Sequence, residues 1–295
     1  MLTKYLDPGA IASLEHLELQ ARQVVEGFIS GLHKSPFHGF SVEFSQHRPY
    51  LAGDSLRFVD WKVYGRTDRF YIKQYEQETN LRAYIMLDIS KSMLFGSGTM
   101  NKLQYGSALA SALSYLLIRQ KDAAGLILFD DKIRTLMPPR SVGSYLPQIF
   151  TTIEQAVPGS DTQISRVLHE SAEQIHRRSL VIIISDLLDE PAAILKGLRH
   201  FAHDQHEVLV FHLMDPQEIT LDYSGEVVFE DLESSERIKT QPAYISASYK
   251  KKMRDFLDFY KIECSNHQIS YTLIQTNMNF KTALTRFLLK RKRLY

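Results

Sequence analysis

The chain has 295 residues, 44% hydrophobic and 23% charged, a balance that allows a sizeable folded core and excludes disorder as the default state. Lysine and arginine number 35 against 34 aspartates and glutamates, so no global field favours nucleic acid or an anionic membrane, and neither is expected as principal partner. The single cysteine, Cys264, excludes an internal disulfide framework and a cysteine-based zinc cluster, and reads as a small buried residue in a reducing compartment.

In chain order, "MLTKYLDPGAIASLEH" lacks a continuous apolar h-region, and the most apolar run, "LVIIIS" at 180 to 185, is too short to span a bilayer. The expected location is cytoplasmic, with any membrane association peripheral. Residues 9 to 33 place Leu14, Leu17, Ala21, Val24, Val25 and Phe28 at three-and-four spacing, which predicts one long helix with Pro8 near its start. Between 37 and 76 the pattern breaks into short strand-like and turn-like pieces punctuated by Gly39, Pro49, Gly53 and Gly65. Within them "RFVDWKVYGRTDR" crowds Arg57, Asp60, Trp61, Arg66 and Arg69 around the only tryptophan, as a charge-paired brace or as a partner surface.

From residue 81 onward strands alternate with helices. "AYIMLDIS" is an apolar strand, and Leu103, Gly106, Leu109, Ala110, Leu113 and Leu117 mark the helix after it. "AAGLILFDD" and "KIRTLMP" predict two strands joined by a tight turn, with Pro138 and Pro139 ending the pair. Helices over 142 to 153 and 164 to 175 precede the strand "SLVIIISDL"; then come helix 191 to 203, strand "EVLVFHLMD", helix 242 to 262, strand "SYTLIQT" and a last helix from about 279. Continuous apolar strands separated by helices define an α/β fold, a doubly wound and mostly parallel sheet covered on both faces. The expected division is a helix plus strand-rich segment over 1 to 80, then the α/β domain over 81 to 295 with a surface hairpin inserted at 222 to 241.

Ligands of doubly wound sheets bind beyond the carboxyl ends of the strands. There "LDISKSM" presents Asp88, Ser90 and Ser92, "VIIISD" ends in Ser185 and Asp186, and the loop "VPGSDTQIS" offers Ser160, Asp161 and Thr162. Oxygens without histidine or cysteine suit a hard cation, Mg²⁺ or Mn²⁺. Ser90, Ser92 and Thr162 would be neutral ligands, and Asp88 and Asp186 would hold waters or orient the serines. A metal held by neutral oxygens stays electron-poor, so it would take a carboxylate from a protein partner.

The string "LDISKSM" resembles the Asp-x-Ser-x-Ser signature of the metal-ion-dependent adhesion site of von Willebrand factor A domains, with Thr162 and Asp186 matching its later threonine and aspartate. Gly39, Glu43, Arg48, Tyr50, Asp54 and Trp61, with Arg57, Asp60 and Thr67, narrow the resemblance to the bacterial domain of unknown function 58 family, from about residue 35 to the C-terminus. That resemblance implies a Rossmann-type three-layer fold. It also implies a partnership with a MoxR-type AAA ATPase in chaperone-like assembly or maturation of other proteins. The family's third loop has a Gly-Thr-Asp-like order where this chain has "GSDTQIS", which leaves Ser160 and Asp161 open as alternatives to Thr162.

Two other functions compete. A Mg²⁺-dependent aspartyl phosphotransferase would use Asp88 as nucleophile and Ser185 to hold phosphate, but Ser90 stands where a second acid would be needed. Alternatively, a vestigial metal site would leave the 37 to 76 segment or the basic tail as the partner surface. No glycine-rich phosphate loop follows any strand, which speaks against nucleotide binding. His200, His203 and His206 read as a solvated helix end before a zinc site, and Lys290, Arg291, Lys292 and Arg293 as a solvated terminus before a contact with an acidic partner or an anionic membrane surface.

Overall fold

The computed structural model describes residues 8–12, 16–32, 47–49, 61–73, 81–159, 163–230 and 237–292. In chain order these form α1 (Pro8–Ala12), α2 (Leu17–Leu32), β1 (His47–Pro49), α3 (Trp61–Thr67), β2 (Tyr71–Lys73), β3 (Arg82–Asp88), α4 (Lys102–Arg119), β4 (Ala123–Phe129) and β5 (Ile133–Arg140). There follow α5 (Leu146–Glu154), α6 (Ile164–Gln174), β6 (Leu180–Ser185), α7 (Pro191–His203), β7 (Glu207–Met214) and α8 (Pro216–Thr220). The chain closes with β8 (Val227–Glu230), β9 (Arg237–Thr240), α9 (Pro242–Asn266), β10 (Ser270–Gln275) and α10 (Lys281–Lys292).

Alternation along the apolar strands builds the layers. On β3, Ala83, Ile85 and Leu87 enter one core while Tyr84 and Met86 enter the other; β6 divides Ile182 and Ile184 from Val181 and Ile183 in the same way. Both faces are therefore buried, as a sheet covered on two sides requires. The six-stranded sheet runs β10-β7-β6-β3-β4-β5, parallel except for the antiparallel pair β4 and β5. Strand order reverses at β3, which has β4 on one side and β6 on the other, so its carboxyl end lies at the switch point.

On the first face α4 crosses β3, β6 and β7. A Cβ at Gly106 would stand 3.0 Å from Leu87 and 3.2 Å from Leu213, so glycine lets the helix sit close to the sheet. α2 lays Ala21, Val24, Val25 and Phe28 into that same core, and its first amide, Leu17 N, donates to Glu154 of α5 at 3.0 Å. The single helix expected over 9 to 33 is thus realised as α1 and α2. On the opposite face α6, α7 and α9 bury Val167, Leu198, Phe201, Tyr260 and Cys264.

Two sequence expectations are corrected. "WKVYGRT" forms helix α3 where short strand-like pieces were expected; β1 and β2 flank it as an antiparallel pair. Pro138 and Pro139 do not end β5 but lie inside it. β5 is an edge strand, and its register against β4 shifts between Ala124 and Leu126, which accommodates residues that cannot donate to a ladder. The stretch "FSVEFS" and residues 50 to 55 of "PYLAGDS" lie outside the described residues, while its Pro49 ends β1. β8 and β9 pair as an antiparallel hairpin.

Candidate metal centre

The end of β3 turns sharply, and Asp88 drives the turn. Its Oδ1 accepts the backbone N–H of Ser90 at 2.9 Å, and its Oδ2 accepts the Ser185 hydroxyl at 2.6 Å. The carboxyl group is fully buried, and burial with repulsion from Asp186 raises its pKa to about 7, against the pull of the Ser185 and Ser90 hydrogen bonds. Ser90 and Ser92 then point their hydroxyls together, Oγ to Oγ at 3.0 Å, at the start of a 3-10 turn over Lys91–Leu94. Two ligands at right angles on a Mg²⁺ ion with bonds of about 2.1 Å would be about 3.0 Å apart, so this pair fits adjacent corners of an octahedron.

β6 supplies the second arm. Ser185 and Asp186 are both fully buried. The Asp186 carbonyl accepts His212 Nε2 at 2.7 Å, and His212 Nδ1 meets the Tyr271 hydroxyl at 2.8 Å. Burial pulls the His212 pKa down to about 4, so a neutral imidazole donates to the carbonyl and accepts from the tyrosine, locking the Asp186 backbone. Asp186 Oδ1 accepts the Leu188 amide at a long 3.3 Å, which leaves lone pairs for a water.

Lys102, in the first turn of α4, was not singled out by the sequence. Its ammonium is fully buried and donates to Asp186 Oδ2 at 2.8 Å and to Glu218 of α8 at 2.5 Å. Burial lowers its pKa, but the attraction of Asp186 and Glu218 outweighs that and leaves it raised, so the lysine is charged. A lysine in the first turn of a helix opposes the helix dipole; that misplacement was the available signal. Asp215, at the end of β7, joins the frame: it caps α8 and accepts from Ser97 N at 2.9 Å and from Thr276 Oγ1 at 3.1 Å, tying the loop after β3 to β7 and β10.

The third loop is anchored on the same rim. Gly159 N donates to the Ile89 carbonyl at 3.0 Å, while Ile89 N donates to Phe129 of β4 at 2.8 Å. A Cβ at Gly159 would collide with the Asp130 carboxylate, so the loop's close approach needs glycine. Ser160, Asp161 and Thr162, which follow it, lie outside the described residues. Among the described residues no group of three or more His, Cys, Asp or Glu side chains is arranged for a metal. The donor set that does converge is hydroxyl-rich, with carboxylates behind it, and that chemistry fits Mg²⁺ or Mn²⁺ and not zinc.

Beside Ser92 opens an apolar recess of about 500 Å³, lined by Phe95, Leu188, Leu221, Tyr223, Phe229 and Ile245. The β8–β9 hairpin and the start of α9 form its outer wall.

The remaining sequence candidates do not reach this rim. Trp61 is 58% exposed and packs edge-on against Tyr64 and Phe70, which stack on each other at 4.4 Å. Arg66 and Arg69 are exposed and make no ion pair among the described residues; Arg57 and Asp60 lie outside them. The three histidines diverge: His200 meets His169, His203 faces solvent, and His206 is buried between Ser179 N and the Ile175 carbonyl. In the basic tail, Lys290 pairs with Glu207 at 2.6 Å, and Arg293 lies outside the described residues. Burial pushes the Cys264 thiol up to about 12, an inert core residue. No helix among the described residues is long and apolar enough to cross a membrane.

A mostly parallel, doubly wound sheet with hydroxyls and carboxylates gathered at its switch point defines a von Willebrand factor A-like α/β protein. The chain belongs to the family described as "Protein of unknown function DUF58", whose model matches residues 46–256. It is 29% identical over 231 residues, 77% of this chain and 72% of the relative, to "Uncharacterized protein Rv1480" of Mycobacterium tuberculosis (strain ATCC 25618 / H37Rv) and equally to "Uncharacterized protein Mb1516" of Mycobacterium bovis. Among solved structures it is similar to the conserved hypothetical protein BatB from Bacteroides thetaiotaomicron, with TM-score 0.48 and 16% identity over 72% of this chain and 99% of that one. An aerotolerance-related membrane protein from Bacteroides fragilis NCTC 9343 matches at TM-score 0.48 and 17% identity, with the same coverage.

Proposed function

We propose that this protein is a non-enzymatic, divalent-metal-dependent binding module, in which Ser90, Ser92 and Thr162 hold Mg²⁺ or Mn²⁺ directly and Asp88 and Asp186 hold it through waters. A carboxylate from a protein partner completes the octahedron. The observation that carries this reading is the 3.0 Å hydroxyl pair of Ser90 and Ser92 seated on the buried Asp88 turn. The apolar recess beside Ser92 gives the partner's neighbouring side chain somewhere to go, so recognition would read an acidic residue next to an apolar one. The proposed setting is the cytoplasm, and the proposed partner a MoxR-type AAA ATPase in assembly or maturation of other proteins, as the family resemblance implies.

The burial of Asp88 supports binding over phosphoryl transfer. Both its oxygens are engaged, by Ser90 N and by Ser185, and the Ser185 hydroxyl that would hold a phosphate is spent on Asp88. A nucleophile needs an oxygen open to the substrate, and the Asp88 carboxyl is fully buried. Asp88→Ala is expected to abolish chelator-sensitive association with the ATPase, read by co-purification of the two proteins with and without chelator, while circular dichroism stays unchanged. Association that persists in excess chelator would count against the metal; Mg²⁺-dependent phosphate-ester turnover lost in Asp88→Asn would restore the enzyme.

A further inference from the structure

The two edges of the central sheet are built differently. β5 carries Arg134, Pro138, Pro139 and Arg140 and a register shift, the devices that stop an edge strand from pairing with another chain. β10, at the other edge, reads "SYTLIQ", without proline or charge, and pairs β7 in an unbroken parallel register over all its residues. Among the described residues its neighbour in the sheet is β7 alone, and none of them pairs with its outer row of N–H and C=O groups, the side to which a further strand would add.

That edge lies in a groove of about 710 Å³ between α9 on one face of the sheet and α10 on the other. Met253, Leu257, Tyr271 and Leu273 give it an apolar floor. Lys250, Arg254 and Lys261, on one face of α9, and Arg286 of α10 give it a basic rim, against a single acid, Asp258. All four cations are exposed and none has an ion-pair partner among the described residues, whereas Lys290 one turn beyond Arg286 is paired. In a chain of nearly zero net charge this is a local excess of positive charge beside an unguarded strand edge.

We propose that this groove binds an extended acidic segment of a partner protein, which adds to the sheet as a strand beside β10. Strand addition supplies main-chain hydrogen bonds, and the two-residue period of an extended chain sends alternate side chains to opposite sides. Glutamates or aspartates at every second position would then face Lys250, Arg254 and Lys261 on the α9 side, while the apolar side chains between them meet Met278 and Thr282 on the α10 side. β10 would take a segment about 20 Å long. The site stands at the sheet edge, and its contacts include no residue assigned to the metal.

The probe is a fluorescent, end-blocked octapeptide of alternating Glu and Val, titrated by anisotropy against the full chain. Saturable binding between about 1 μM and 1 mM is expected, unchanged by chelator and weakened at least about tenfold in Arg254→Glu/Lys261→Glu, whose positions are exposed and leave the fold intact. The same peptide N-methylated at every amide is expected not to bind, and hydrogen exchange is expected to slow at the Tyr271 and Leu273 amides, because Thr276 N donates to Met214 and the alternation turns Thr272 N toward β7 as well. No saturable binding at about 1 mM overturns the proposal, as does equal binding of the N-methylated peptide. Poly-uridine RNA or phosphatidylserine vesicles binding through Arg254 and Lys261 while the peptide does not would also overturn it, and would reassign the surface. Chelator insensitivity keeps this outcome separate from that of the metal centre.

Discussion

A carboxylate shut away from water persists only if it is hydrogen-bonded, paired or protonated, and Asp88 uses the first and the last. Its carboxyl pKa of about 7 lies above the ordinary 3.8, so the folded protein holds a proton there that the unfolded chain releases. The stability this contributes is complete below about pH 4 and is lost as pH rises to 7, at about 1.4 kcal/mol per unit of separation. In chelator, the melting temperature of wild type relative to Asp88→Asn is therefore expected to fall between pH 4 and 7, and saturating Mg²⁺ to remove most of the difference. A flat difference across that range would contradict the buried, protonated state. Mg²⁺ binding should likewise weaken below pH 7, because the metal displaces that proton.

Lys102 poses the complementary question. Among the described residues it is the one cation bonded to the buried Asp186 and the partly buried Glu218, and replacing it strands two carboxylates. Lys102→Met is expected to cost about 3–5 kcal/mol, measured by denaturant unfolding, with Mg²⁺ recovering part of it because a divalent ion beside Asp186 substitutes for the ammonium. Full loss with no recovery would place the ion elsewhere. Lys102's place in a helix's first turn was a signal in the sequence, but its pairing with Asp186 and Glu218 was not legible, because 84 and 116 residues separate them from it. Asp88, Ser90, Ser92 and Asp186 could be read because each follows an apolar strand directly.

At the scale of elements, the loop after α5 is the piece on which the proposed third ligand depends. Gly159 packs where any side chain would strike Asp130, which Arg134 holds through both carboxylate oxygens at 2.7 Å. Gly159→Ala is expected to push the loop off the rim, costing about 1–3 kcal/mol and weakening Mn²⁺ binding measured by calorimetry; unchanged affinity would mean that the loop supplies no ligand. The strongly periodic elements were read correctly from sequence, α7 and β6 above all, because their burial is dictated by their own side chains. α3 was missed because "WKVYGRT" has a glycine inside it and an exposed tryptophan at its start, so no apolar stripe marks the helix. The prolines of β5 misled because a sequence does not say which strand will be an edge.

For the whole molecule, the doubly wound order follows from strands that are apolar on both faces, and it places the hydroxyl cluster at the switch point between β4 and β6. The two proposed sites divide the surface: the rim beyond β3 and β6 for a metal and a carboxylate, the β10 edge for an extended acidic chain. Both would recognise acidic protein segments, one through coordination and one through strand pairing and salt-sensitive charge. Raising ionic strength should therefore weaken the β10 interaction more than the metal-centred one. The most direct test of the central claim is Mn²⁺ titration of the full chain by electron paramagnetic resonance, comparing wild type with Ser90→Ala/Ser92→Ala. The account predicts saturable binding of a single Mn²⁺ ion by wild type, displaced by Mg²⁺ and absent from the double variant. Equal binding by both proteins, or none by wild type, would contradict it.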